Sequence, residues 1–218
     1  MTRIPQMPDG RGSQKWLQHF VEKNPTALQP RGMKALTWLS PLANDDFAEY
    51  MDGAFLQHLG LPELVPALPS FWPVSGPRWD GLARVGSSVV LVEAKAHIAE
   101  ALSTPSAASA PASRSLISAS LAQTKTALGA DDRSDWSRCF YQLANRIAHL
   151  WWLRENNIDA HLLFVGFLSA TDMPHPATLD GWEALYLAAN HALAASAAAR
   201  PRPRSASRRE SRRARGHR

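Results

Sequence analysis

Three charged residues whose types suit joint chemistry lie close to one short apolar segment. Asp80 precedes the segment, and Glu93 and Lys95 directly follow the apolar run at residues 89–92. Removing water from a charge is costly, so charges at the end of a core strand indicate a bound partner or a function. Two carboxylates beside an ammonium group suit the binding of a divalent cation.

The local pattern predicts a β-hairpin over residues 78–97 that turns at residues 86–88. Alternate side chains of a strand point to the same side, so Glu93 and Lys95 share one face. The register of such a hairpin places Asp80 beside residues 93–95. We therefore expect the two carboxylates and the ammonium group to converge at one end of a sheet.

This arrangement predicts a magnesium site, with Mn²⁺ as the alternative ion. Asp80, Glu93 and the main-chain carbonyl of Ala94 would supply hard oxygen ligands, while several waters complete the coordination. A bound metal ion lowers the pKa of a water ligand and offsets charge that develops on a phosphate. Lys95 would orient the attacking water, deprotonate it or stabilise the transition-state charge, and the sequence leaves these three roles open.

The remaining pattern predicts a mixed α/β domain with a small central sheet. Apolar spacing, caps and breakers locate the other elements. They are a short helix capped by Ser13, a helix over 44–59 capped by Asn44, an edge strand over 70–74, helices over 113–128, 134–155 and 179–193 (the last capped by Thr178 or Asp180), and a buried strand over 160–168.

The pattern D-x12-E-A-K formed by Asp80, Glu93 and Lys95 resembles the active-site signature of the PD-(D/E)XK nuclease superfamily. The core of that superfamily contains a helix, three antiparallel strands, a second helix and a fourth strand. The predicted segments follow this order, with residues 98–133 inserted: 44–59, 70–74, 78–85, 89–97, 134–155 and 160–168. The resemblance covers roughly residues 44–168, although Trp79 occupies the position of the signature's proline.

The resemblance implies a restriction-endonuclease-like fold and a metal-dependent nuclease. Asp80 and Glu93 would be the metal ligands and Lys95 the catalytic lysine. The substrate would be a phosphodiester bond in nucleic acid, with DNA ranked above RNA. Many such nucleases form dimers, so a homodimer is compatible with the resemblance, and no residue pattern determines the oligomeric state.

Further site residues are suggested by the same resemblance. Many of these nucleases carry an acid on the first core helix, where Glu49 is the candidate and Asp52 lies nearer the apolar face. On the long helix, Gln142 is the candidate for an added polar site residue, and Arg146 for a phosphate contact. The alternative for all four is a solvated helix face.

The basic charge of the chain is concentrated in its last residues. The net charge is +5, but residues 195–218 contain nine Arg and one Glu, so the first 194 residues have a net charge of −3. With almost no apolar residues other than Ala, residues 195–218 are predicted to be a disordered tail after a single domain at 1–194. The tail would bind nucleic-acid phosphates in a salt-dependent manner or remain a solvated extension. The candidate contacts are Arg208, Arg209, Arg212 and Arg213.

Composition also restricts the cellular setting. Cys139 is the only cysteine, which excludes an internal disulfide and suits a reducing compartment. No segment approaches the ~20 apolar residues of a membrane span, and the N-terminus lacks the apolar run of a signal peptide. We therefore expect a soluble cytoplasmic protein without a membrane partner.

Several alternatives to the nuclease remain. The charged residues could be a surface charge pair at a frayed strand end, or the protein could be a scaffold or regulatory partner bound through the Arg-rich tail, which would leave Asp80, Glu93 and Lys95 without a role. An inactive nuclease-like fold would bind nucleic acid or protein without cleaving it, although the presence of all three signature residues favours activity. If the stretch from Glu93 to Glu100 were helical, these two acids and His97 would share a face and could bind a transition metal. A bundle site of that kind needs a second such motif, and the sequence has none.

Overall fold

The computed structural model describes residues 2–8, 10–130, 134–138 and 140–193. Cys139 and the predicted tail with its Arg208, Arg209, Arg212 and Arg213 lie outside the described residues. The helices are α1 (Gly12–Lys23), α2 (Gly53–His58), α3 (Ile98–Ala101), α4 (Pro111–Leu128), α5 (Tyr141–Glu155) and α6 (Leu179–Leu193). The strands are β1 (Thr2–Ile4), β2 (Thr37–Ser40), β3 (Glu49–Met51), β4 (Gly81–Val85), β5 (Ser88–Lys95) and β6 (Ala160–Gly166).

The fold is α/β and contains a four-stranded mixed sheet in the order β2-β4-β5-β6. The pairs β2/β4 and β4/β5 are antiparallel, and β5/β6 is parallel. Parallel neighbours require a crossover, and the chain from β5 to β6 supplies it with α5 as its last helix. The strands β1 and β3 form a separate two-stranded antiparallel sheet.

The large sheet is buried on both faces, which accounts for the continuous apolar run in β5. Val89 and Leu91 pack in a cluster with residues of α2, α4 and α5. Val90 and Val92 point to the other face, where Leu17 and other residues of α1 cover them. By this alternation, a side chain two residues after Leu91 faces α5, and this is the position of Glu93.

Several predicted elements are confirmed. The hairpin is formed by β4 and β5, and Val85 pairs with Ser88 across a turn in which Gly86 has a φ of 61°. A positive φ at this position suits glycine, which has no Cβ to clash. The buried strand at 160–168 corresponds to β6, and the helices at 113–128 and 179–193 correspond to α4 and α6. The hydroxyl of Thr178 caps α6 by accepting a hydrogen bond from the N–H of Gly181 at 3.2 Å.

The predicted helix over 44–59 is wrong. A short 3-10 turn, β3 and the six-residue helix α2 occupy this region. Asp46, Phe47 and Asp52 all have positive φ, which interrupts an α-helix. Pairing with β1 holds the central part extended instead, because Tyr50 lies opposite Arg3.

The predicted edge strand over 70–74 is also wrong. The chain forms a 3-10 turn at Leu68–Ser70 and then buries Phe71 and Trp72 in the core. On the side of β4 away from β5, the neighbouring strand is β2, which was not predicted. The strand β2 has four residues and ends directly before Pro41. Its alternation of apolar and polar residues is therefore too short to be recognised in the sequence.

Two helix starts also differ from the predictions. The long helix begins at Tyr141, because Phe140 is left-handed with a φ of 50° and residues 134–138 form a turn. The first helix begins at Gly12, before the predicted cap Ser13. Its first N–H donates to the carboxylate of Asp172 at 3.0 Å, a partner distant in sequence.

Within the described ranges, none of the helices combines the length and apolar character that crossing a bilayer requires. The part of the sequence that forms the sheet and the helices packed on it runs from α1 to α6. It is longer than the core predicted at residues 44–168.

Candidate functional site

The hairpin brings Asp80 to Glu93, as predicted. Gly81 pairs with Val92, so the next position in register places Asp80 opposite Glu93 on the same face. The carboxylate oxygen Oδ2 of Asp80 accepts a hydrogen bond from the N–H of Ala94 at 2.7 Å. This contact fixes the Asp80 side chain against the last residues of β5.

Lys95 joins the two acids from the end of β5. Its Nζ lies 2.6 Å from Oε1 of Glu93, an ion pair in which the side chains are 15% and 4% exposed. The EAK tripeptide is therefore extended and its two charges share one face. The alternative helical site with His97 and Glu100 is wrong for this reason, and the imidazole Nε2 lies 3.7 Å from the Glu100 carboxylate.

Arg146 binds Glu93 from the other side. Its Nε donates to Oε2 of Glu93 at 2.6 Å, and its Nη2 donates to the main-chain carbonyl of Arg78 at 2.7 Å. The guanidinium also lies 4.8 Å from the centre of the Trp79 ring, an attractive cation–π geometry. Trp79, the residue at the signature's proline position, is fully buried and packs this arginine. Arg146 therefore makes its hydrogen bonds within the protein, and its contact with a phosphate remains a prediction.

The site contains two carboxylates and two cations, and the pKa values of the two acids are shifted in opposite directions. Burial, together with the charge of Glu93, raises the pKa of Asp80 to about 7. Burial would also raise the pKa of Glu93, but the charges of Arg146 and Lys95 outweigh it and hold that pKa below its usual range. Glu93 is thus the charged acid at neutral pH, whereas Asp80 titrates near pH 7.

The same charges keep Lys95 protonated. Burial would lower the pKa of the ammonium group, but the carboxylates of Glu93 and Asp80 outweigh burial and raise it above its usual value. At neutral pH, Lys95 is therefore a positively charged hydrogen-bond donor.

Glu49 lies near this cluster although its predicted helix is absent. It is buried on β3, and its Oε2 accepts a hydrogen bond from Gln6 at 3.1 Å and lies 3.4 Å from Nη1 of Arg78. Burial raises the pKa of Glu49, Arg78 opposes this effect, and the charge of Glu93 adds to it. The carboxylates of Glu49 and Glu93 are thus close enough to interact electrostatically.

Gln142 lies beside the charged pair. It lines a small cavity together with Glu93, Lys95 and Tyr186. Its amide oxygen Oε1 is buried and has no hydrogen-bond partner in the described part of the chain. A buried acceptor without a donor costs about 1–3 kcal/mol, so this oxygen is suited to a bound water or cation.

Sequence reasoning missed Arg78 and Tyr186. The position of Arg78, two residues before Asp80, was a usable signal because alternate residues of an extended chain face the same side. Tyr186 carried no such signal, since α6 comes long after the hairpin in sequence and docks through Trp182, whose indole donates to the carbonyl of Phe167 at 3.1 Å. Burial and the charge of Glu93 raise the pKa of Tyr186 to about 12.

The oxygen atoms of the site are of the hard type that Mg²⁺ prefers as ligands. Among the residues described, no group of three or more His, Cys, Asp or Glu side chains is arranged as a metal site. Mg²⁺ is commonly held by only one or two carboxylates and keeps several waters. Asp80 and Glu93 are the carboxylates that could hold such an ion, because each carboxylate oxygen has two lone pairs and each contact above uses one. The orphaned oxygen of Gln142 adds a further hard acceptor.

Comparisons of the chain with protein-family models, with curated proteins and with solved structures found no match. The function is therefore inferred from the geometry of the site.

Proposed function

We propose that this protein is a metal-dependent nuclease that hydrolyses phosphodiester bonds, with DNA ranked above RNA as substrate. The observation that carries the proposal is the convergence of Asp80, Glu93 and Lys95 at the end of the hairpin. An ammonium group held beside two acids is suited to stabilising negative charge that develops on a phosphate.

The order of elements supports this proposal. The sequence α1, β2, β4, β5, α5 and β6 runs helix, three antiparallel strands, helix and a fourth strand parallel to the third. This is the order expected of a restriction-endonuclease-like core, although α1 and β2 replace the segments predicted at 44–59 and 70–74. The proposed nuclease domain spans residues 1–194.

Each site residue would contribute in a distinct way. Asp80, Glu93 and the carbonyl of Ala94 would hold Mg²⁺ or Mn²⁺. The metal ion, when bound, lowers the pKa of a water ligand and offsets phosphate charge. Because its raised pKa keeps Lys95 protonated, Lys95 would orient the water and stabilise the transition-state charge rather than remove a proton. Gln142 would accept a hydrogen bond from a water through its orphaned oxygen.

A second candidate function is a nuclease-like fold that binds nucleic acid or protein without catalysis. The double engagement of Glu93 favours it, since Lys95 and Arg146 already neutralise this carboxylate without any metal. The two candidates differ in one property. A nuclease cleaves when a divalent metal is supplied, whereas a binding module holds its ligand intact.

The deciding experiment measures cleavage of labelled single-stranded and duplex DNA and RNA with Mg²⁺, with Mn²⁺ and with a chelator. We expect metal-dependent cleavage by the wild type and losses of about 100-fold or more for Asp80→Asn and Lys95→Gln. Asp180→Asn, an exposed change on α6, is the matched control and should cleave normally. Equal cleavage by all four proteins would refute the mechanism, and tight binding without cleavage would favour the second candidate.

A further inference from the structure

A groove of about 550 Å³ opens beside the candidate site. Its walls are two loops at residues 72–78 and 104–110, and the first turn of α5 forms part of its floor. Arg146 lines the groove and also contacts Glu93, and Gln142 lines both the groove and the small cavity that contains Glu93 and Lys95, so the groove is separated from the candidate site by these two side chains. A volume in this range is typical of sites that enclose a small ligand.

The charges that line this groove are positive. Arg78 and Arg146 are its cations, and no Asp or Glu occurs among the described residues that line it. Hydroxyl groups add hydrogen-bonding capacity along both walls. They belong to Ser75, Thr104, Ser106, Ser109, Ser113 and Tyr141. A cationic, hydroxyl-rich lining favours an anionic ligand such as a phosphodiester chain.

Arg78 is the cation positioned to contact that ligand. Its side chain is 53% exposed, and its Nη1 forms a long ion pair with Glu49 at 3.4 Å, a contact that uses one of the five N–H donors of a guanidinium. Arg146, in contrast, is buried and donates to Glu93, Asn145 and the main chain. Arg78 therefore retains donors for an incoming phosphate.

The N-terminus of α5 strengthens this positive potential. The helix starts at Tyr141 without an acidic residue in its first turn, and Phe140 provides no side-chain cap. Ser103 accepts one of the first N–H groups, that of Gln142, at 2.9 Å. The helix dipole thus adds to the charge of Arg78 at the same end of the groove.

We infer that this groove binds a single-stranded segment of nucleic acid, with Arg78 on a phosphate and the adjacent phosphodiester bond presented to Asp80 and Glu93. The inference rests on the proposed function and names its substrate class. A groove of this volume favours an unpaired strand over a duplex, and enzymes with enclosed sites act on unpaired or extruded nucleotides. Tyr141, which is partly exposed at the groove floor, offers an aromatic face for a base.

The test measures binding by fluorescence anisotropy in a chelator, so that cleavage does not contribute. The probes are a labelled short oligothymidine and a labelled blunt DNA duplex, each titrated over a range of salt. Arg78→Gln is compared with Arg31→Gln, an exposed arginine next to the hairpin turn at the opposite end of the sheet. The full chain is used throughout, so any contribution of residues 195–218 is common to all proteins.

We expect Arg78→Gln to weaken oligothymidine binding by about tenfold and to lower its salt slope by about one. Duplex binding should stay unchanged in both variants, and Arg31→Gln should match the wild type with both probes. Equal weakening of both probes by Arg78→Gln, or no weakening of either, would overturn the inference. If the groove inference fails but the wild type still cleaves with a divalent metal, the proposed function stands. If Arg78 supports selective binding of oligothymidine but no cleavage occurs, the groove inference stands and the proposed nuclease function is refuted.

Discussion

The ion pair between Arg146 and Glu93 gives the sharpest prediction about stability. Both side chains are buried, and Nε of Arg146 lies 2.6 Å from the carboxylate. Removing one partner of a buried pair costs about 3–5 kcal/mol, because the other charge remains in the interior. We expect Arg146→Met to lower the free energy of unfolding by that amount at pH 7 and the Tm by about 10 °C.

The stability lost in Arg146→Met should be larger at neutral pH than at acid pH. The pKa of Glu93 is lowered in the folded protein, so the stability it contributes is present above its unfolded pKa of about 4.3 and is lost as pH falls through the folded value. In Arg146→Met that pKa should rise, because the attraction of Arg146 is lost while the effect of burial remains. The difference between wild type and variant should therefore be largest near pH 7 and should shrink below about pH 4.

Urea denaturation of the wild type, Arg146→Met and Arg154→Met across this pH range measures the effect. Arg154 lies on the same helix and donates to the carbonyl of Ala160 at 3.0 and 2.9 Å, so its replacement should cost about 1 kcal/mol with no comparable pH dependence. A loss at Arg146 no larger than that at Arg154, or one that does not vary with pH, would refute the assignment of a buried, charged Glu93.

Three further predictions follow from the same geometry. In the metal-free protein, the Asp80 pKa of about 7 exceeds its unfolded value of about 3.9, so the native state binds more protons at this carboxyl and the stability contributed by Asp80 falls from about pH 4 to pH 7. Asp80→Asn should remove this contribution, so the variant should gain stability relative to the wild type between pH 5 and pH 8. Urea unfolding at these two pH values would contradict the reasoning if the difference between variant and wild type stayed constant. Gln142→Leu removes the amide oxygen that lacks a partner, so the free energy of unfolding should be unchanged or rise by about 1 kcal/mol, while metal-dependent cleavage should fall. A clear loss of stability in thermal unfolding would show that this amide makes hydrogen bonds that stabilise the fold. Deleting residues 200–218 should flatten the salt dependence of nucleic-acid binding measured by anisotropy, and unchanged salt sensitivity would leave the tail without this role.

The hairpin was predictable because its information is local. Apolar residues at 89–92 and a turn at Gly86 define both strands, and the period of two residues places Glu93 and Lys95 on one face. Asp80 then followed from the register alone. The parts of the candidate site that lie on this hairpin could therefore be predicted from the sequence alone.

The remainder depends on contacts between distant segments. The helical spacing at 44–59 was outweighed by pairing with β1, which begins at Thr2. Asp172 supplies the contact at the start of α1, and nothing near Gly12 in sequence indicates it. The pairing of Arg146 with Glu93 similarly requires the crossover that lays α5 on the sheet. Periodicity detects amphipathic elements but does not identify their partners.

The central claim is that Asp80 and Glu93 together hold a divalent cation beside Lys95. Electron paramagnetic resonance of Mn²⁺ titrated into the wild type, Asp80→Asn and Asp180→Asn tests it directly, without reference to any substrate. We predict one bound Mn²⁺ for the wild type and for Asp180→Asn, and loss of that binding in Asp80→Asn. Binding of Mn²⁺ by Asp80→Asn as tight as that of the wild type, or no binding by any of the three, would contradict the claim.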